Sequence, residues 1–222
     1  QERFNFTSHA ESPPLFYIHF FILRAEPRVR RADDIDPDVF DNGISDETFA
    51  KIVACLRIAV PYTGMIVSTR ESAESRKKVL ELGISQISGG SRTSVGGYVE
   101  PEKEEDNSAQ FDVNDNRSLD EVVCWLLKMG YIPSFCTACY RAGRTGDRFM
   151  SLLKSKQIVN CCQPNALLTL QEYLQDYAGE ETKAEGEKVI KEQLSVISNE
   201  KVKEKTIEYL QKIKEGQRDF RF

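Results

Sequence analysis

The sequence lacks any hydrophobic run long enough to cross a membrane, and it lacks an excess of basic residues. A transmembrane helix needs about 20 mostly apolar residues, whereas the most apolar window, LFYIHFFIL, covers only residues 15–23. The formal net charge is −5, and binding to nucleic-acid phosphates usually requires a basic surface. We therefore expect neither a membrane nor a nucleic acid as a partner.

Cysteine is too sparse for a fold held together by disulfides. The 222 residues contain six cysteines, and disulfide-rich secreted domains are shorter and denser in cysteine. The apolar window has no basic segment before it and no small-residue cleavage site after it, so it is not typical of a signal peptide. With 40% hydrophobic and 29% charged residues, a globular protein is expected. Closely spaced cysteines in such a chain are expected to bind metal or to be redox-active.

The familiar catalytic residue sets are also missing. We find no Ser–His–Asp set, no phosphate-binding loop and no paired catalytic carboxylates in the sequence. The two histidines, His9 and His19, lie in an irregular N-terminal segment, and we interpret both as structural or incidental. What the chain does contain is cysteine in two short stretches, FCTACYRAGRTG at 135–146 and NCCQPNAL at 160–167.

The first part of the chain predicts alternating helices and strands. Ser45 begins a helix whose apolar residues recur at helical spacing until Pro61. A buried strand at 64–68, a helix at about 72–82 and a second strand at 84–88 follow. This order is typical of a parallel sheet with crossover helices, so we predict an α/β fold.

The last part of the chain predicts helices with little strand. A capping box begins a helix at Ser118, and Asn165, directly after a proline, is expected to cap a later one. Two more helices are predicted, at about 181–197 and 200–215. The change in pattern predicts a domain boundary near residue 130.

Three cysteines have the spacing C-x2-C-x22-C: Cys136, Cys139 and Cys162. A pair two residues apart can place both sulfurs on one metal or on one edge of a cluster. A third thiolate would leave one iron of a four-iron cluster without a protein sulfur. Arginines after the pair would partly offset the negative charge and lower the thiol pKa values. These are Arg141, Arg144 and Arg148.

Other interpretations of the cysteines stay open at this point. A zinc site would need Cys161 as its fourth ligand, although adjacent residues rarely point at one metal. A thioredoxin-like redox pair normally opens a helix, whereas RAGRTG at 141–146 is typical of a loop. Plain burial suits Cys55 and Cys124, each inside an amphipathic helix, and it suits Cys161 as well.

Two arginines follow the predicted strands. Arg70 comes just after the first strand, and Arg92 lies in the glycine-rich loop GGSRTSVGG at 89–97. Ligand sites in α/β folds lie at the carboxyl ends of the strands, where an arginine can hold a carboxylate with two hydrogen bonds. The alternative is an arginine in solvent or an ion pair with an acid such as Glu71.

Long segments resemble a known family. They are similar to the C-terminal half of radical S-adenosylmethionine tyrosine lyases of the [FeFe]-hydrogenase maturase type, and the resemblance covers residues 27–222. The first two segments are shared with the related tyrosine lyase of thiamine synthesis. The segments are AVPYTGMIVSTRES (59–72), LGISQISGGSRTSVGGY (82–98), GYIPSFCTACYRAGRTGDRFM (130–150) and CCQPNAL (161–167).

The resemblance implies a fold in two parts. Residues 27–130 would form the last β/α units of a (β/α)8 radical S-adenosylmethionine barrel, in the region associated with biotin and thiamin synthesis. Residues 131–222 would form a small, all-helical domain that binds an auxiliary iron–sulfur cluster. Residues 1–26 do not match the family, and we interpret them as an atypical segment that an error in the gene model would explain.

The resemblance also implies cofactors and their ligands. The family's auxiliary 4Fe–4S cluster, which carries an extra iron, would be bound by Cys136, Cys139 and Cys162, with Cys161 outside the motif. Arg70 and Arg92 are candidates for holding the carboxylate of the substrate or of S-adenosylmethionine. The C-x3-C-x2-C motif of the second, radical-generating 4Fe–4S cluster is absent from these 222 residues, so we expect this fragment alone to be inactive.

The implied activity belongs to the full-length enzyme. The family cleaves tyrosine to p-cresol and dehydroglycine (2-iminoacetate), and it makes CO and cyanide on iron for the hydrogenase cofactor. The implied partners are tyrosine, S-adenosylmethionine and other hydrogenase maturation proteins, in the cytoplasm of an anaerobic bacterium or in a hydrogenosome or plastid. Two rival functions remain: a non-catalytic iron–sulfur carrier module and a structural zinc domain for protein interaction.

Overall fold

The computed structural model describes residues 2–7, 22–24, 28, 39, 43–61, 64–94, 97–98 and 113–222, with only the backbone described for 2–7 and 22–24. His9 and His19 lie outside the described residues. The chain forms two compact units. The first comprises the described residues of 1–3 and 21–118, and the second those of 4–20 and 119–222.

The elements are numbered here in chain order. The strands are β1 (Glu2–Thr7), β2 (Ile22–Arg24), β3 (Gly64–Val67), β4 (Gln86–Gly89) and β5 (Ile132–Ser134). The helices are α1 (Asp46–Ala59), α2 (Ala73–Glu81), α3 (Leu119–Lys128), α4 (Ala138–Arg141), α5 (Gly146–Lys154), α6 (Val159–Asp176), α7 (Glu180–Val196) and α8 (Glu200–Lys214).

The first unit contains a parallel sheet with helices between its strands. Strand β3 pairs in parallel with β2 on one side and with β4 on the other. Serine side chains cap both helices: Ser45 accepts a hydrogen bond from the amide of Thr48, and Ser72 from the amide of Ser75. The predicted order of helix, strand, helix and strand is confirmed. All residues of β3 and β4 are buried, as expected for a parallel sheet with covered faces.

The second unit is built around the long helix α6. It packs against α7, α8 and β5, and its leucines are buried along most of its length. Strand β5 pairs antiparallel with β1, with Phe6 opposite Pro133. In α7, Gly186 allows a close approach to α6, because a Cβ atom there would lie 2.6 Å from the methyl carbons of Leu174. The predicted helical character of the last part of the chain is confirmed.

The prediction that Asn165 caps a helix is wrong. Helix α6 begins at Val159 and includes Pro164. The amides of Asn160 and Cys161 bond to carbonyls three residues back, and the i→i−4 pattern starts only at Cys162. Pro164 therefore lies close enough to the start of the helix that few regular bonds are lost.

Two smaller predictions also need correction. Cys55 is exposed rather than buried, because it lies two residues beyond the buried Val53 and so on another side of α1. The stretch 141–146 is not only a loop, since Arg141 ends α4 and Gly146 begins α5. Cys124 is buried as predicted. Within the described ranges, no helix is both long and apolar enough to span a bilayer.

Candidate functional site

Four cysteines of the second unit lie on neighbouring elements. Cys136 follows strand β5, Cys139 lies in the one-turn helix α4, and Cys161 and Cys162 lie in the first turn of α6. The side chain of Cys139 packs against the apolar cluster that contains Cys162, and all four thiols are free. The structure therefore brings together the first and second parts of the C-x2-C-x22-C motif.

An apolar cluster supports these thiols from one side. Cys162 is buried against Phe149 of α5 and against Ile158, which directly precedes α6. Cys139 packs against the edge of the same cluster. Cys136 is half-buried, and its sulfur accepts a hydrogen bond of 3.4 Å from the amide of Ala138 at the start of α4. The short helix α4 thus presents an N–H group to one of the sulfurs.

The three motif thiols have different acidities. The hydrogen bond from Cys162 and the nearby Arg144 lower the pKa of Cys139 to about 6. The same bond, together with burial, raises the pKa of Cys162. Burial also raises the pKa of Cys136, and the amide of Ala138 offsets this only in part. Cys139 is therefore the thiol that most readily ionises near neutral pH.

Arg144 is the arginine that contacts the cysteines. Its Nη1 donates to the sulfur of Cys161 at 3.2 Å, and its main-chain N–H donates to the carbonyl of Cys139 at 2.8 Å. The other two arginines of this segment point elsewhere. Arg141 pairs with Asp219, and the exposed Arg148 lies 3.5 Å from the carbonyl oxygen of Ala142.

The arrangement places cysteine sulfurs on neighbouring elements, with the positive charge of Arg144 beside Cys161. Across the part of the chain that the structure describes, no three His, Cys, Asp or Glu side chains converge as they would around a single metal ion. Thiolate sulfur is the usual protein ligand of iron–sulfur clusters, in which each iron takes its own sulfur. The donor set of the three motif cysteines therefore fits a cluster, and Arg144 would offset part of its negative charge.

The two arginines predicted at strand ends lie in the first unit. Because β3 and β4 are parallel, the segments after Val67 and Gly89 leave the sheet at the same edge. Arg70 is half-buried. Arg92 donates from Nη1 to the carbonyl of Asn116 at 3.2 Å.

The acid next to Arg70 has a different partner. Glu71 pairs with Arg28, whose Nε donates to Glu71 Oε1 at 3.1 Å. Glu71 is buried, with an exposed fraction of 1%. Glu71 therefore pairs with Arg28, and the two interpretations of Arg70 stay predictions.

Three serine hydroxyl groups near Arg92 are buried and have no hydrogen-bond partner among the described residues: those of Ser88, Ser91 and Ser94. Ser88 belongs to β4, and the other two lie in the glycine-rich loop that follows it. Buried polar groups normally have partners. These hydroxyl groups give the strand and the loop around Arg92 a polar environment.

Sequence reasoning also missed a buried ion pair in the first unit. Arg76 is fully buried in α2 and hydrogen-bonds to Asp115 and to the carbonyl of Ser88. Burial lowers the pKa of Arg76 to about 10. Asp115 also accepts from Arg117 at 2.8 and 2.6 Å. Burial alone would raise the pKa of Asp115, but the two arginines hold it below its ordinary value. The available signal was an arginine on the buried face of α2, beside Val79.

Part of the chain is similar to a known family of domains. The family model described as "Biotin and Thiamin Synthesis associated domain" matches residues 27–132. No curated protein matches the chain.

Solved structures then define the particular family. The crystal structure of HydG, described as a maturase of the [FeFe]-hydrogenase, is 52% identical, with a TM-score of 0.81, over 88% of this chain and 42% of that chain. The HydG structure from Carboxydothermus hydrogenoformans, a FeFe-hydrogenase maturase, is 37% identical, with a TM-score of 0.62, over 87% of this chain and 40% of that chain.

The chain belongs to the HydG family of [FeFe]-hydrogenase maturases, and it corresponds to the C-terminal part of that protein. It spans about two fifths of the length of the two HydG structures. The resemblance inferred from the sequence segments is confirmed.

Proposed function

We propose that the second unit binds an auxiliary 4Fe–4S cluster through Cys136, Cys139 and Cys162. The observation that carries this proposal is the packing of Cys139 against the apolar cluster that contains Cys162, which joins two distant parts of the motif. Cys136 lies near both, since the charge of Cys139 raises the pKa of Cys136 and the charge of Cys136 raises the pKa of Cys162. When bound, such a cluster supplies one iron without a protein sulfur, open to an extra iron or another ligand.

The protein's own residues prepare this site in three ways. The apolar cluster around Phe149 limits water at the buried thiol of Cys162. The amide of Ala138 donates to Cys136 and favours its thiolate form. The low pKa of Cys139 provides a ligand that is already ionised at neutral pH.

The proposal extends to the whole enzyme of which this chain would be a part. That enzyme would be a radical S-adenosylmethionine lyase with a (β/α)8 barrel, in which β2 to β4 and their helices belong to the last units. It would cleave tyrosine to p-cresol and dehydroglycine and make CO and cyanide on iron, together with other hydrogenase maturation proteins. It would act in the compartment where the hydrogenase matures, which is the bacterial cytoplasm or a hydrogenosome or plastid. The family relation to HydG supports this reading.

The strand-end arginines have a proposed role within that enzyme. Arg70 and Arg92 would hold the carboxylate of tyrosine or of S-adenosylmethionine at the carboxyl edge of β3 and β4. The buried hydroxyl groups of Ser91 and Ser94, which have no partner among the described residues, support a ligand near Arg92. A substitution of Arg92 by Lys is expected to raise the KM of an enzyme extended to include the C-x3-C-x2-C motif.

Anaerobic reconstitution tests the cluster proposal. The chain is treated with iron and sulfide, and bound iron and acid-labile sulfide are then measured. We expect a labile-sulfide cluster that is lost in Cys136→Ala, Cys139→Ala and Cys162→Ala. The matched control is Cys161→Ala, which removes the adjacent thiol and should keep the cluster. Stoichiometric zinc without labile sulfide would contradict the proposal and support the structural zinc domain.

A second assay separates an enzyme from a carrier. With S-adenosylmethionine and a reductant, this chain is expected to form no p-cresol, because it has no C-x3-C-x2-C motif. A protein extended to include that motif should form p-cresol. Failure of a cluster-loaded, extended protein would favour the non-catalytic iron–sulfur carrier.

A further inference from the structure

The Arg144 side chain links the cysteines to the last residues of the chain. One terminal nitrogen, Nη1, donates to the sulfur of Cys161 at 3.2 Å. The other, Nη2, donates to a main-chain oxygen of Phe222 at 2.6 Å. A planar guanidinium group held at two points has a fixed orientation, so the direction of its third nitrogen is fixed as well.

That third nitrogen, Nε, is buried and has no hydrogen-bond partner among the residues that the structure describes. A buried N–H donor without an acceptor is rare in folded proteins and calls for a specific explanation. Arg144 also lies against the first motif cysteines, since its main-chain N–H donates to the carbonyl of Cys139 at 2.8 Å. The donor without a partner thus belongs to a residue that contacts a cluster-ligand candidate.

The C-terminal residues that contact Arg144 are held in place by hydrogen bonds and a ring contact. The amide of Phe222 donates to Asn165 Oδ1 at 2.9 Å, and Asn165 Nδ2 donates back to the Phe222 carbonyl at 3.4 Å. The ring of Phe220 stacks on Tyr209 of α8 with 4.5 Å between the centroids. The carbonyl that orients Arg144 is therefore fixed by two helices, α6 and α8.

We propose that Arg144 is a positioning residue of the cysteine site, which donates its Nε–H to a sulfur of the loaded site and so raises the reduction potential of the cluster. The proposal rests on the cluster-binding function proposed above. Hydrogen bonds and positive charge near cluster sulfurs stabilise the reduced state, which carries one more negative charge. The tail residues 219–222 then serve to hold the guanidinium group in place.

The test is a potentiometric titration of the reconstituted chain with dithionite, followed by electron paramagnetic resonance. Arg144→Lys keeps a positive charge but has no Nε–H in the guanidinium geometry. We expect it to bind the same amount of iron and labile sulfide and to shift the reduction equilibrium about tenfold toward the oxidised state, which is 59 mV for a one-electron couple. The matched control Arg148→Lys, on the exposed arginine of the same segment, should leave the potential unchanged.

A second variant tests the role of the tail. A chain that ends at Asp219 loses the Phe222 carbonyl but keeps Arg144. This variant should still bind the cluster. Its reduction potential should fall by less than that of Arg144→Lys.

Each outcome of these titrations supports or overturns the proposed role of Arg144. A lowered potential in Arg144→Lys alone supports the proposal. An unchanged potential, or an equal shift in Arg148→Lys, overturns it. Loss of the cluster or of helical circular dichroism in Arg144→Lys also overturns it, because Arg144 would then be a structural residue. If the wild-type chain binds no labile sulfide, the proposed function fails first and this inference fails with it.

Discussion

The inward-facing arginines of the two units have different kinds of partner. In the first unit, Arg76 pairs with Asp115 and Arg28 pairs with Glu71, so each arginine is matched by a carboxylate. In the second unit, Arg144 meets a cysteine sulfur and a main-chain oxygen of Phe222 instead of an acidic side chain. The acidic side chains offset the buried charges of the first unit, whereas Arg144 lies beside the cysteine site to which we propose that it donates a hydrogen bond.

The largest expected loss of stability comes from a substitution in the first unit. Asp115→Ala leaves Arg76 buried without its carboxylate, so we expect the free energy of unfolding to fall by about 3–5 kcal/mol. The measurement is urea unfolding followed by circular dichroism. The control is the double variant Arg76→Met, Asp115→Leu, which removes both charges and should recover most of the loss. A cost below about 1 kcal/mol for the single variant, the value of a surface pair, would show that the pair is not structural.

A smaller effect is expected where the tail meets α6. Asn165→Ala removes both hydrogen bonds to the main chain of Phe222, so the free energy of unfolding should fall by about 1–3 kcal/mol. Urea unfolding measures this loss as well. Asn160→Ala is the control, since its side chain bonds only locally to Gln157 and should cost no more than about 0.5 kcal/mol. Equal costs at the two sites would mean that the tail is not anchored there.

The smallest effect concerns acidity in the second unit. The iodoacetamide reactivity of Cys139, followed by mass spectrometry, should rise with a midpoint near its pKa of about 6. Because this pKa is lowered from 9.0, the stability that ionisation contributes is complete above pH 9 and is lost as the pH falls through about 6.

A pair of substitutions measures the part of the lowered Cys139 pKa that comes from Arg144, which adds to the larger effect of the hydrogen bond from Cys162. Arg144→Gln should move the midpoint for Cys139 upward, because the positive charge and the hydrogen bond both favour the thiolate. Arg148→Gln should not move it, since Arg148 is exposed and faces the carbonyl of Ala142. A midpoint near 9 in the wild-type chain would contradict the arrangement of thiols described here.

Local signals explain what the sequence could predict. The cap at Ser45 and the apolar spacing after it were sufficient for α1, because capping and periodicity act within one or two turns. The buried run at 64–67 was likewise sufficient for β3. The spacing of the cysteines and the family resemblance predicted one site for Cys139 and Cys162. Cys139 packs against the cluster that contains Cys162, and their role as ligands stays a prediction.

Contacts between residues that are distant along the chain explain what the sequence could not predict. Asn165 looked like a helix cap, but it bonds to Phe222, which is 57 residues away. The pair of Arg76 and Asp115, 39 residues apart, has no local signature. Three arginines follow the first cysteines, and the spacing alone could not show that Arg144 is the one that faces the thiols. Such choices depend on how helices pack, which no short window of sequence contains.

The central claim is that three specific thiols bind one iron–sulfur cluster. The most direct measurement is acid-labile sulfide per chain after anaerobic reconstitution, compared between Cys162→Ala and Cys161→Ala. We predict that Cys162→Ala loses the cluster and that the adjacent Cys161→Ala keeps it. Equal sulfide in the two variants, or zinc in place of iron and sulfide in the wild-type chain, would contradict this account.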